Sequence, residues 1–116
     1  MKQNELLEIR ELIDKKEINK AQLQVSKLHN KLQNDPEYLF LRSKIFYINR
    51  LYYLAIDTLL IALEFGQNEE IYSLLAEIYK FLDNEELSKK ILDKSSRKEA
   101  IDGLKLILTG LYKKNN

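Results

Sequence analysis

The chain of 116 residues has no cysteine and no tryptophan, one histidine, one proline and three glycines. Without cysteine it has neither a disulfide framework nor a thiolate metal site. The histidine, His29, follows Leu28 on a helical pattern and is expected on the surface. Nothing resembles a glycine-rich phosphate loop, and the pairs Glu69-Glu70 and Glu85-Glu86 suit helix starts better than paired catalytic carboxylates. We therefore predict no enzyme, no metal and no cofactor.

The chain also lacks a charge excess and a membrane-length apolar run. Lys and Arg number 19 against 18 Asp and Glu, so the concentrated positive charge of a nucleic-acid binder is missing. The apolar stretch FLRSKIFYINRLYYLAIDTLLIAL (residues 40–63) is interrupted well before the roughly 20 apolar residues that a span needs. The interrupting residues are Arg42, Lys44, Asn49, Arg50 and Asp57. The start, MKQNELLEIRE, lacks the apolar core of a signal peptide, so we expect a cytoplasmic protein.

Apolar residues recur at helical spacing throughout, and no segment alternates with a period of two. Asp35 before Pro36 predicts a helix start, because proline is tolerated at the first helical position. Asn68 and Asn84 precede acidic pairs, which favour helix N-termini. Ser96 and Glu99 form a capping-box pattern, and Gly66 suits a helix end. Together these signals predict seven short helices.

A period of 33 to 34 residues underlies this pattern. Small residues recur at Ala21, Ala55 and Ser88, which are 34 and 33 residues apart. The same spacing relates two further sets: Leu12, Phe46 and Tyr79, and Ile9, Ser43 and Ala76. Two antiparallel helices approach closely only where small side chains face the partner, so the period indicates a helix–turn–helix repeat.

These residues resemble the tetratricopeptide (TPR) repeat over nearly the whole chain. The resemblance implies an all-α, TPR-like helical solenoid in a single domain, residues 1–116. Its repeats would cover about residues 2–35, 36–68 and 69–95, and residues 97–114 would form a capping helix. The first repeat is degenerate, because it has Leu12 where the family has an aromatic residue.

In the TPR family the first helices of the repeats line a concave groove. The resemblance places eight residues of this chain in a client-binding groove: Phe40, Leu41, Lys44, Tyr47, Ile48, Leu74, Glu77 and Phe81. Some TPR proteins hold an acidic C-terminus in a clamp of polar residues, and this chain does not match that clamp. Leu41 and Leu74 stand where polar clamp residues belong, and only Lys44 and Arg10 are similar to clamp residues. The groove suits the apolar face of an amphipathic helix instead.

Arg42 departs from the repeat, whose seventh position is normally leucine, as at Leu75. The first repeat has Glu8 at that position. A charge there needs a partner or water, and two interpretations stay open. Glu8 and Arg42 form an ion pair between neighbouring helices, or Arg42 contacts a bound ligand.

In length, in its degenerate repeats and in its apolar groove, the chain is similar to the TPR-like co-chaperones of type III secretion needle subunits. That resemblance implies protein partners only: a needle subunit and a second small helical chaperone. The groove would sequester the amphipathic C-terminal helix of the subunit and block premature polymerisation. The degenerate first repeat would dock the small chaperone, and no nucleic acid or membrane insertion is implied.

Three alternatives stay open. The chain could be a generic TPR adaptor or scaffold, or a fragment of a longer array. Its apolar face could be buried in a homodimer when no client is bound. Alternatively, its own C-terminal helix could fold into the groove through four apolar residues, Leu104, Ile107, Leu108 and Leu111.

Overall fold

The structure, a computed structural model, describes residues 2–114, with side chains described as far as Ile107. This part of the chain forms seven α-helices and no strand, which confirms the all-α prediction. The helices are α1 (Lys2–Asp14), α2 (Ile18–Leu32), α3 (Pro36–Ile48), α4 (Tyr52–Phe65), α5 (Glu69–Phe81), α6 (Glu85–Leu92) and α7 (Arg97–Lys114). None of these helices combines the length and the apolar character needed to cross a membrane.

The chain divides into two compact units, one ending at Ile71 and the other beginning at Tyr72. In the first unit, α1 packs against α2 and α3, α2 packs against α3, and α3 packs against α4. In the second unit, α6 packs against α7. Most of these contacts join helices that are neighbours in the sequence.

The same turn follows α1, α3 and α5. Its central residue has a positive φ of 63°, 65° and 64° at Lys16, Arg50 and Asp83 respectively. The N–H of the next residue donates to the carbonyl five positions earlier, at 2.8 Å (Glu17 to Leu12), 2.9 Å (Leu51 to Phe46) and 2.8 Å (Asn84 to Tyr79). This is the hydrogen bond of a Schellman helix end. The turns are 34 and 33 residues apart, so the sequence period is also a period of the backbone.

The small residues of the period are buried. Ala21 and Ala55 are 0 % exposed and Ser88 is 5 % exposed. The Ser88 hydroxyl donates to the carbonyl of Ala76 on α5 at 2.7 Å, which ties two helices of the second unit together. Ser43 is also fully buried, but its hydroxyl has no hydrogen-bond partner within the described part of the chain.

Three of the predicted caps are formed. Asp35 accepts the N–H of Tyr38 at 2.9 Å, with Pro36 at the first position of α3. Asn68 accepts the N–H of Ile71 at 3.0 Å, and Asn84 accepts that of Leu87 at 3.2 Å. Each bond satisfies one amide that the helix itself leaves unpaired. The capping box predicted for Ser96 and Glu99 is not formed: Ser96 precedes α7, but its hydroxyl donates to the carbonyl of Lys90 at 3.0 Å and its N–H to that of Asp93.

Gly66 ends α4 for a reason that the sequence did not indicate. Its φ of 171° is extended backbone open to any residue, so a left-handed conformation is not the requirement. A Cβ built at this position would lie 2.9 Å from Cγ of Pro36. Glycine is therefore needed because the chain after α4 passes close to the first turn of α3.

Candidate protein-binding site

The five predicted groove residues on α3 differ in exposure. Phe40 and Leu41 are buried, at 5 % and 1 % exposed. Lys44 and Tyr47 are half-buried, and Ile48 is 42 % exposed. The accessible part of this predicted surface is therefore the last turn of α3.

The exposure of the three predicted groove residues on α5 also rises toward the C-terminal end of the helix. Leu74 is buried, whereas Glu77 is exposed and Phe81 is 57 % exposed. Phe81 stands 33 residues after Ile48, so both residues occupy the same position in successive repeats. Accessible apolar surface thus recurs at the C-terminal ends of α3 and α5.

Arg10 on α1 is hydrogen-bonded to residues of two other helices, both of them within the first unit. Its Nε donates to Glu37 on α3 at 3.1 Å, and its Nη1 and Nη2 donate to Glu70 in the first turn of α5 at 3.1 and 2.9 Å. The guanidinium carbon also lies 5.6 Å from the centre of the Phe40 ring. The hydrogen bonds to Glu70 raise the pKa of Arg10; burial opposes this rise, and the hydrogen bond to Glu37 adds to it.

This Arg10 cluster (Arg10, Glu37, Glu70 and Phe40) was missed in the sequence analysis, which compared Arg10 only with a ligand clamp. The signal was available, because Glu37 and Glu70 are 33 residues apart at equivalent repeat positions. The cluster covers Phe40 with a charged group of the same chain. An apolar client would therefore find this end of α3 already occupied.

Tyr47 is held from the side by an aromatic neighbour. Its ring lies 5.9 Å from that of Tyr52, at the start of α4, with an angle of 61° between the planes. Such edge-to-face pairs are worth about 0.5–1.5 kcal/mol beyond the area they bury. The contact restrains the Tyr47 ring while leaving the residue half-exposed, which suits a preorganised contact residue.

Arg42 does not pair with Glu8, so the proposed ion pair is corrected. Its Nη1 lies 2.9 Å from Nδ1 of His29 on α2, and its guanidinium carbon lies 5.4 Å from the centre of the Phe46 ring. Glu8 is exposed on α1, and no ion pair joins it to Arg42 among the described residues. The physical reason is that Arg42 extends along the α2–α3 interface, where an imidazole and an aromatic face receive it.

A cleft of about 330 Å³ surrounds Arg42 and His29 between α2 and α3. Its floor includes Tyr38, whose hydroxyl donates to the carbonyl of Val25 at 2.6 Å. Burial raises the pKa of Tyr38, and the nearby Arg42 partly opposes that rise. His29 is half-buried here rather than on the open surface as expected. Gln22, Ser26, Ile45 and Phe46 complete the lining.

A second apolar surface, the α4 stripe, lies on α4. It consists of Leu51, Leu54, Ile61 and Phe65, each 45 to 50 % exposed. With the half-buried Thr58, these residues are spaced alternately by three and four and so share one side of the helix. The opposite side of α4 is core, with Ala55, Leu59 and Ala62 all 0 % exposed.

The final helix contributes two exposed apolar residues. Leu106 is 74 % exposed and Ile107 is 62 % exposed, while Leu104 is half-buried. Leu108 and Leu111, which the self-covering alternative also needs, lie outside the residues whose side chains are described. That alternative therefore stays a prediction.

No group of three or more His, Asp or Glu residues among the described side chains is arranged to hold a metal ion. Lys2 and Asp35, both with shifted pKa values, pair with each other, whereas the pKa of Tyr38 is raised by burial. What the described surface offers is exposed apolar and aromatic side chains beside fixed charges.

Comparison with known proteins adds no relative: no protein-family model, curated protein or solved structure matches this chain.

Proposed function

We propose that this chain is a TPR-like solenoid that acts as a cytoplasmic chaperone for a type III secretion needle subunit. In this proposal it holds the amphipathic C-terminal helix of the subunit in its concave groove, together with a second small helical chaperone. Covering the polymerising surface lowers the concentration of free subunit by mass action until export. No chemical step is required.

The repeated turns support the solenoid part of the proposal. Three left-handed turns at periods of 34 and 33 residues are what stacked helix–turn–helix units require. The packing of α1 against both α2 and α3 supports it as well, since the first helix of a repeat is expected to contact its partner and the next first helix.

The observation that carries the binding proposal is the exposure of Ile48 and Phe81 at equivalent repeat positions. Large exposed apolar side chains, one in each unit, are the kind of contact that an amphipathic helix can cover. Tyr47, Lys44 and Glu77 flank these positions in sequence and would supply aromatic area and charge. The buried Phe40, Leu41 and Leu74 would support the surface from beneath.

The decisive test is affinity purification at native expression, followed by intact-mass measurement of the proteins that co-elute. The proposal expects two small helical proteins in a one-to-one-to-one complex. Recovery of the chain alone, as a monomer or homodimer, would contradict it.

The site is tested by a matched pair of variants, Tyr47→Glu and Tyr53→Glu. Both place a carboxylate on a tyrosine position of the first unit, but Tyr53 is 77 % exposed on α4 and is not one of the predicted groove residues. We expect Tyr47→Glu to lose the client and Tyr53→Glu to keep it, with both remaining helical by circular dichroism. Retention of the client by a folded Tyr47→Glu variant would overturn the site.

The α4 stripe favours a second candidate, a general TPR adaptor or a segment of a longer array. An apolar surface outside the predicted groove gives such a protein a second place to bind. A complex in which Leu54→Glu or Ile61→Glu releases a partner, while Tyr47→Glu does not, would favour this function over the chaperone.

A further inference from the structure

We propose that the cleft between α2 and α3 is a carboxylate-binding site in which Arg42 is the recognition residue. This inference concerns a different surface from the client groove and does not rest on the proposed function. The ligand class is a carboxylate on a short aliphatic stem, either an acidic side chain of a protein or a free small acid.

The first argument is that the Arg42 guanidinium has only part of its hydrogen-bonding capacity in use. One nitrogen, Nη1, donates to Nδ1 of His29 at 2.9 Å, and the ring of Phe46 covers one face at 5.4 Å. Nε and Nη2 have no hydrogen-bond partner among the described residues. These two nitrogens form the edge of the guanidinium that binds a carboxylate through two parallel hydrogen bonds.

The second argument is charge. Arg42 is half-buried, and within the described part of the chain no carboxylate pairs with it. Arg10, the other half-buried arginine of the first unit, has two carboxylate partners. Partial burial of an unpaired cation is unfavourable, and a bound carboxylate would offset that cost at Arg42.

The third argument is the tautomer of His29. Arginine stays protonated in proteins, so Nη1 must be the donor and Nδ1 of His29 the acceptor. The hydrogen bond therefore corresponds to the Nε2–H tautomer of the ring. This hydrogen bond to His29 orients Arg42 and leaves the Nε–Nη2 edge of its guanidinium for a ligand carboxylate.

The fourth argument is the lining of the cleft. Val25, Ile45 and Phe46 are apolar, while Gln22 and Ser26 are exposed polar residues on α2. A volume of about 330 Å³ is near the lower end of small-ligand sites, which run from roughly 300 to 1,000 Å³. The cleft thus fits a short aliphatic stem that ends in a charged group.

The test uses the ring signals of His29, the only histidine in the chain, as an NMR reporter. The full-length protein is titrated at constant pH and ionic strength with propionate and, separately, with N-acetyl-glutamic acid amide. Propionamide and N-acetyl-glutamine amide are the uncharged controls. We expect saturable shifts of the His29 signals with at least one carboxylate and none with the matched amides.

Variants then assign the effect to Arg42. Arg42→Gln should weaken carboxylate binding by at least about tenfold, because a charge-assisted hydrogen bond to the ligand is lost. Arg42→Lys should weaken carboxylate binding less, since lysine keeps the positive charge but cannot make the two parallel hydrogen bonds of the guanidinium. Arg50→Gln removes an exposed arginine of the same unit and should bind as the unaltered protein does. Circular dichroism checks folding, and Arg42→Lys retains the aliphatic stem if the glutamine variant fails to fold.

Each outcome decides a point. Binding of the glutamate derivative but not propionate identifies a protein side chain as the source of the carboxylate, and the reverse identifies a free acid. Equal binding of carboxylates and amides, no saturable shift at all, or unchanged binding by Arg42→Lys and Arg42→Gln would overturn the proposal.

Discussion

Replacing Arg10 with methionine tests whether the Arg10 cluster stabilises the first unit. Methionine keeps most of the apolar stem and removes three hydrogen bonds to Glu37 and Glu70, as well as the contact with Phe40. The side chains are partly exposed, 30 % for Arg10, 42 % for Glu37 and 53 % for Glu70. Solvent therefore screens these ion pairs and reduces their contribution to the free energy of unfolding.

Exposed ion pairs contribute about 0.2–1 kcal/mol each, with the bidentate pair near the upper value. A partly exposed cation–π contact adds about 0.5–1 kcal/mol. We therefore expect Arg10→Met to lower the free energy of unfolding by about 1–2 kcal/mol at low salt. The ionic part should fall by about half in 1 M sodium chloride, where the Debye length is about 3 Å.

The measurement is urea-induced unfolding followed by circular dichroism, because guanidinium chloride would itself screen the cluster. Lys31→Met is the matched control: it removes a single pair to Glu5 in which Lys31 is 62 % exposed, and should cost less than about 0.5 kcal/mol. Arg10→Lys should lie between the two. Equal stability of Arg10→Met and the unaltered protein at low salt, or a loss that salt does not reduce, would refute the reasoning.

Four further predictions use the same urea assay. Arg50→Gly should raise stability by about 0.5–1 kcal/mol, because glycine removes the cost of a positive φ, and Arg50→Ala should not. Ser43→Ala should be neutral or stabilising, since a buried unpaired hydroxyl is removed, whereas Ser88→Ala should cost about 1 kcal/mol. Gly66→Ala should destabilise by about 1 kcal/mol or more, because its Cβ would overlap the Pro36 ring. Asp35→Ala should cost about 1 kcal/mol at neutral pH. Burial would raise the pKa of Asp35, but Lys2 and the Tyr38 amide together lower it below its ordinary 3.8. Its contribution is therefore complete above that value and is lost as the pH falls through the lowered pKa. A difference between Asp35→Ala and the unaltered protein that persists at the acid end would contradict this assignment.

Local features of the fold were predictable from the sequence because their causes are local. A cap such as Asp35–Tyr38 joins residues three apart, and a Schellman turn involves a few consecutive residues. The small residues Ala21, Ala55 and Ser88 indicated close helix packing because few other side chains permit it, and their burial confirms that reading.

The charged contacts could not be predicted in the same way. Arg42 and His29 lie 13 residues apart on different helices, and their meeting depends on how α2 is rotated against α3. The repeat pattern suggested Glu8 as the partner because it has the equivalent position in the preceding repeat, but that repeat is degenerate. The contact of Arg10 with Phe40 likewise joins two helices, because Arg10 reaches the ring from α1.

The exposed face of α4 could not be predicted from the sequence for a different reason. Residues 51–65 are apolar on two sides, so hydrophobic periodicity alone does not tell the core from the surface. The two alanines, Ala55 and Ala62, mark the side that packs closely. The α4 stripe is the side that the first unit leaves uncovered.

The packing of helices against their sequence neighbours has a consequence for how the first unit folds. Contacts between α1 and α2, α2 and α3, and α3 and α4 close short loops, and the packing of α1 against α3 closes a longer one, so little chain entropy is lost before the first favourable contacts form. Helical proteins of such low contact order fold in roughly microseconds to milliseconds. This unit should thus reach its folded form well within the seconds that a ribosome takes to add the next few dozen residues. Its surfaces would be available to a partner while the rest of the chain is still being made.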